Sequence, residues 1–141
     1  MTPMAAALER LRQASGLAPV LGAAHEAFQA MLAAIRSQED PATGLFSAFI
    51  MAAALAADGR DAIAFAPSMP PVGSRDLLDD EVDVRVPPET VARLVSDLSR
   101  LVRAQLTRSA GQATDPADRD ACDQAARCAA GIHDLLARGG P

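Results

Sequence analysis

Apolar positions recur along this chain with the period of an α-helix, not that of a strand. Met4, Leu8 and Leu11 follow i, i+4, i+7 and predict a first helix over 2–15, with Thr2 as cap, Pro3 in the first turn and Gly16 as a stop. Val20, Leu21, Ala24, Phe28, Met31, Leu32 and Ile35 form one stripe, so a second, amphipathic helix is expected over 18–38, with Glu26, Ala30, Ala33 and Ser37 on its other side. Asp40-Pro41 is a helix-start signal for a third helix running to about residue 57, where Asp58-Gly59 should end it and 61–65 should add a short turn. That third helix carries Leu45, Phe46, Phe49, Ile50, Met51 and Leu55 among alanines. It is apolar nearly all round, which suits a helix at the centre of a domain or in an oligomer interface.

Val91, Leu94, Val95, Leu98, Leu101, Val102 and Gln105 track a near-heptad stripe and predict a fourth helix over 88–109, with Glu89 and Arg93 as an i, i+4 pair and a turn at Gly111. Asp115-Pro116 repeats the start signal, and a fifth helix should run to about residue 138, before Gly139 and Gly140. Its stripe is Ala121, Ala125, Cys128, Ile132 and Leu135, with Leu136 beside it, and its small residues allow close helix approach. Between these patterns, Pro67, Pro70, Pro71, Gly73, Pro87 and Pro88 forbid a continuous helix, and Asp76, Asp79, Asp80, Glu81 and Asp83 make the segment acidic. Val82, Val84 and Val86 alternate with charges and suit a short extended piece. The fold class is therefore all-α: a single domain over 1–141, a four- to five-helix bundle with one long, Pro-rich, acidic loop over about 66–88.

Composition narrows the chemistry. Half of the 141 residues are hydrophobic and 22% are charged, enough to bury a core. There is no Lys, Asn, Trp or Tyr, and all 13 basic residues are Arg. A Schiff-base lysine, a P-loop lysine and a tyrosine general acid are thereby excluded. Arg in place of Lys, with abundant Ala, Gly, Pro and Asp, fits a high-GC bacterial coding bias. The net charge of −5 opposes binding to nucleic acid and to an anionic membrane. The longest uncharged stretch, 41–57, is short for a bilayer span and reads as a core helix. Cys122 and Cys128 lie about 9 Å apart along one helix, a poor geometry for a disulfide. Two free thiols, and a Met1-Thr2-Pro3-Met4 start without the basic residues of an export signal, lead us to expect a cytoplasmic setting.

Candidate chemistry is sparse. His25 lies at the edge of the second helix's apolar stripe, either as a packed boundary histidine or as a ligand or proton carrier. His25-Glu26 opens like a zinc-protease motif, but position 29 is Gln, so the second ligand is missing. His133 and Asp134 are neighbours on a helix and diverge by about 100°, so they form no dyad. Cys122 and His133 stand about 16 Å apart along the axis, so they cannot share a metal, and no metal or other cofactor is expected. No Glu-x-x-His, Gly-x-Ser-x-Gly or Gly-x-Gly-x-x-Gly occurs, and the acidic run lacks calcium-loop spacing. Cys128 sits in an apolar stripe, whereas Cys122, nearer the polar side and the helix start, reads as the more reactive thiol. Arg93, Arg100, Arg103 and Arg108 share one outer face, interrupted by Asp97 and without an aromatic to stack on a base, which reads as a solvated face.

Three functional readings follow. The first is a non-catalytic cytosolic interaction or accessory protein, homodimeric through an apolar helix surface that includes Phe46, Phe49 and Ile50. A protein partner would use the same surface. The second is a binder of a small apolar molecule, in a pocket between the second and third helices lined by Phe28, Met31, Phe49 and Met51 with His25 as the orienting polar group. The third is a small enzyme with His25 or His133 as acid/base beside a carboxylate.

Overall fold

A computed structural model describes residues 2–38, 44–71 and 86–137. Among them are five helices and no strand: α1 (Pro3–Gln13), α2 (Leu17–Arg36), α3 (Phe46–Ala64), α4 (Pro88–Gln112) and α5 (Pro116–Ala137). The all-α bundle read from periodicity is the observed fold. Asp40-Pro41, the extended piece at 82–86 save Val86, the acidic run and Gly139-Gly140 lie outside the described residues.

Helix ends follow local chemistry. Thr2 Oγ1 accepts the Ala5 N–H at 3.1 Å, and Asp115 Oδ1 accepts the Ala117 N–H at 2.9 Å, so the N-termini of α1 and α5 are capped by their own side chains. Prolines open α1, α4 and α5, where the first N–H has no helical partner in any case. Gly16, at φ 93°, turns the chain between α1 and α2.

Four helices form a ring in which α2 touches α3 and α4, and α5 touches α3 and α4, while α1 lies over α2 and α4. Cross-contacts set the directions. Gly59 lies against Phe28 and Pro70 against Gly22, so α2 and α3 are antiparallel. Ser68 bonds to Asp118 while Leu55 packs on Gly131, so α3 and α5 are antiparallel too. Gln38 Nε2 donates to the Val86 carbonyl at 3.3 Å, placing the end of α2 beside the start of α4. It follows that α3 and α4 are parallel and sit on a diagonal. The chain leaves α3 at one end of the bundle and enters α4 at the other. Nineteen residues of α3 span about 28 Å at 1.5 Å each, a distance that needs at least about eight extended residues. A connection of at least that length is therefore required between Ala64 and Pro88.

The structure revises three sequence expectations about the core. α3 does not stop at Asp58-Gly59 but continues to Ala64. Gly59 is there for space: an added Cβ would stand 2.6 Å from Phe28 Cζ. Nor is α3 the central helix. α2 is, with Ala23, Ala27 and Ala30 buried along with its predicted stripe, because α1, α3 and α4 surround it. In α4, Leu94 is exposed, whereas Ala92, Ser96, Ser99 and Ser109 are buried. α4 and α5 form the most extensive helix pair among the described residues, and α5 likewise buries small residues, Ala121, Ala125 and Ala129. α4 also runs through Gly111 to Gln112, and Gln105 Nε2 donates to the Leu11 carbonyl at 3.0 Å, tying the end of α1 down.

Candidate functional site

The feature with the plainest functional content is the outer face of α3. Among the described residues α3 packs chiefly on α2 and α5, and part of its largely apolar surface is left exposed. Ile50 is 55% exposed and Met51 56% exposed, with Ser47 and Ala54 open beside them and Phe46 and Ala57 half-buried. No charged residue occurs from Gly44 to Ala57. Single exposed apolar residues are ordinary, but a contiguous uncharged face is not. Beyond it, Asp58 and Asp61 are exposed, and Phe65, just past the helix, is 87% exposed.

The residues expected to form an interface separate. Ile50 faces solvent and Phe46 lies at the edge, but Phe49 turns inward and is 1% exposed. The residues expected to line a ligand pocket separate as well. Phe28, Met31 and Phe49 pack together in the buried core, while Met51 points away from them into solvent.

His25 is more deeply placed than the edge position expected, at 8% exposed. Its α2 face meets α3, where Arg60 Nη1 donates to Gln29 Oε1 at 3.1 Å and Arg60 Nε to Asp61 Oδ1 at 3.1 Å. Burial, reinforced by the Arg60 charge, holds the imidazole pKa below 6.5, against the opposing pull of Asp61 and Glu26. Glu26 is itself ion-paired to Arg10, which joins α1 to α2. His25 is thus a neutral, mostly enclosed ring at neutral pH.

A second feature, a cleft of about 340 Å³, opens between the start of α4 and the end of α5. Its floor is Leu45, Ala92, Ser96 and Leu136, all buried, and its rim carries Glu89, Arg93, Asp97 and His133. Glu89 and Arg93, one helical turn apart, were expected to pair, yet among the described residues Arg93 makes no ion pair. His133 Nδ1 stands 3.8 Å from Asp134 Oδ1, too far for a hydrogen bond, in keeping with the divergence of helical neighbours. Ser96 was missed in the sequence because a serine beside a heptad stripe looks like solvent-facing filler.

Elsewhere the chemistry is structural. Asp118, 2% exposed, accepts both the Ser68 N–H at 2.9 Å and the Ser68 hydroxyl at 2.6 Å, pinning the chain after α3 to the first turn of α5. Both thiols are buried, and Cys122 is the more enclosed of the two, against the expectation that it was the reactive one. Burial, with Asp118 and Asp123 near, pushes its pKa up to about 11, and burial also raises that of Cys128. Arg93, Arg100, Arg103 and Arg108 are all exposed along α4. Among the described residues no three His, Cys, Asp or Glu side chains converge to hold a metal ion, and no helix is long and apolar enough to cross a membrane. No family model, curated protein or solved structure matches the chain.

Proposed function

We propose that this chain is a non-catalytic cytosolic helical interaction protein that pairs with a second copy of itself through the open face of α3. The observation that carries the reading is the exposure of Ile50 and Met51, side by side on an uncharged face that the chain's own helices leave bare. A second copy suits that face for an electrostatic reason. Each copy carries a net charge of −5, so two copies repel over most approaches. Along 44–57 there is no charge to repel, and Ser47 and Ala54 are small enough to let two helices come close. A two-fold pairing of α3 with α3 then covers Ile50 and Met51 on both copies at once. Asp58 and Asp61 bound the contact and confine it to the first three turns of the helix.

Light scattering coupled to size exclusion, over a concentration series, tests this. The mass should rise from 14.6 kDa towards twice that value as concentration increases. Ile50→Asp combined with Met51→Asp should hold it at 14.6 kDa without lowering the melting temperature, since neither side chain belongs to the core. A wild-type chain that stays at the single-copy mass at about 0.5 mM, where even millimolar self-affinity begins to show, defeats the reading.

A further inference from the structure

The cleft between α4 and α5 is independent of the α3 face and carries an inference of its own. The geometry points to a binding site there for one aliphatic α-amino acid, held as its zwitterion. Size is the first argument: about 340 Å³ lies at the small end of ligand pockets and leaves room for a molecule of leucine's dimensions. The floor is the second. Leu45, Leu136 and Ala92 offer apolar surface to an aliphatic side chain, and Ser96 sets one hydroxyl among them. Ser96 is only 5% exposed, and its hydroxyl makes no hydrogen bond among the described residues, where its carbonyl serves Ser99. No sealed side-chain oxygen or nitrogen lacks a partner there, so this hydroxyl reaches solvent, and the cleft that Ser96 lines is its opening.

The rim is the third argument. Arg93 stands between Glu89 and Asp97, one turn before and one turn after it on α4. That spacing commonly neutralises such charges within a helix. Here the guanidinium is in no ion pair among the described residues, so both signs remain available to a ligand. A carboxylate fits the Arg93 fork and the Ser96 hydroxyl, and an ammonium fits Asp97 or Glu89. A plain anion would meet two carboxylates, and a plain amine would meet the guanidinium. Only a ligand bearing both charges satisfies the whole rim.

The test uses the full chain and follows the His133 ring by NMR, since that side chain stands on the rim. Three probes are titrated: L-leucine, 4-methylpentanoate, which lacks the ammonium, and isoamylamine, which lacks the carboxylate. L-Leucine should give a saturable shift with a Kd at or below about 1 mM, and each half-ligand should bind at least about tenfold more weakly. Ser96→Leu, which fills the floor, should abolish the shift while the circular dichroism stays helical. Arg93→Gln, an exposed position that leaves the core untouched, should weaken L-leucine about tenfold and decides the matter if Ser96→Leu does not fold. Absence of saturation, equal binding of all three probes, or undiminished binding by Arg93→Gln overturns the proposal.

Discussion

Replacing Gly59 with alanine sets two effects of similar size against each other. In an α-helix, Ala is favoured over Gly by about 0.8–1.0 kcal/mol, so helix propensity alone predicts a stabilised protein. The added Cβ, however, would stand 2.6 Å from Phe28 Cζ, 2.7 Å from Cε1 and 3.0 Å from Cε2. Carbon atoms pack at about 3.5–4.0 Å, so the ring or the whole of α3 must retreat by roughly 1 Å. Phe28 has no exposed surface and no room to withdraw into. Overpacking of this kind costs about 1–3 kcal/mol, and a contact with a rigid ring lies in the upper half of that range. The net expectation is a loss of about 1–2 kcal/mol, a fall in melting temperature of roughly 3–8 °C for a chain of this size. Gly111→Ala is the matched control: an added Cβ there meets nothing within 4 Å, so propensity alone acts and the protein should gain up to about 1 kcal/mol. Urea denaturation with unchanged m-values reads both. Phe28→Leu removes the ring atoms that clash, so Gly59→Ala should cost less in that background. A Gly59→Ala variant as stable as the wild type, or more so, refutes the reasoning. The contact matters beyond stability, because Ile50 lies nine residues from Gly59 and hence about 180° round the helix. The face of α3 that Gly59 presents to Phe28 is thus opposite the one that carries Ile50.

Acid should destabilise the protein through His25. Its folded pKa lies below 6.5, so the unfolded chain takes the proton first, and stability falls as pH drops from 6.5 through the folded value, then levels off. His25→Gln should flatten that limb of the pH–stability curve relative to wild type, and an unchanged curve argues against a buried neutral ring. Ser68→Ala should cost about 1.5–3 kcal/mol, the worth of a hydrogen bond to a charged group, and should speed amide exchange at 66–71 before it affects α2. With the Cys122 thiol pKa at about 11 and both thiols buried, disulfide reagents at pH 8 should react slowly with native protein and at once in denaturant. Fast reaction of a native thiol contradicts the burial. Phe49→Asp should unfold the chain, not merely separate copies of it, which circular dichroism distinguishes from the folded single-copy state expected for the Ile50/Met51 variant.

The two features proposed to act, the α3 face and the α4/α5 cleft, arise from the same arrangement. A ring of four helices with α3 and α4 on a diagonal leaves each helix two neighbours. α2 gains a third in α1 and is enclosed, whereas α3 gains none of comparable extent among the described residues and keeps Ile50 and Met51 exposed. At the other edge, the small Ala92 and Ser96 of α4 leave a hollow beside the last turn of α5.

The sequence by itself determined what local rules govern. Helix identity follows from the 3.6-residue period, and the starts at Thr2-Pro3, Pro88 and Asp115-Pro116 follow from capping and the missing proline N–H, all within a few residues of chain. Residue chemistry also excluded lysine and tyrosine mechanisms without any structure. The tertiary structure alone decided which apolar helix is enclosed. Periodicity tells that a face is apolar but not what will cover it, so the sequence leaves α3 either at the centre or at an interface, and the packing puts α2, not α3, at the centre. It alone showed that Gly59 serves a neighbour's ring, because a helix-stop glycine and a close-approach glycine are the same letter until Phe28, thirty-one positions away, is brought against it. Ser68 with Asp118, and Ser96 with His133, are brought together only through helix packing, which no local pattern encodes.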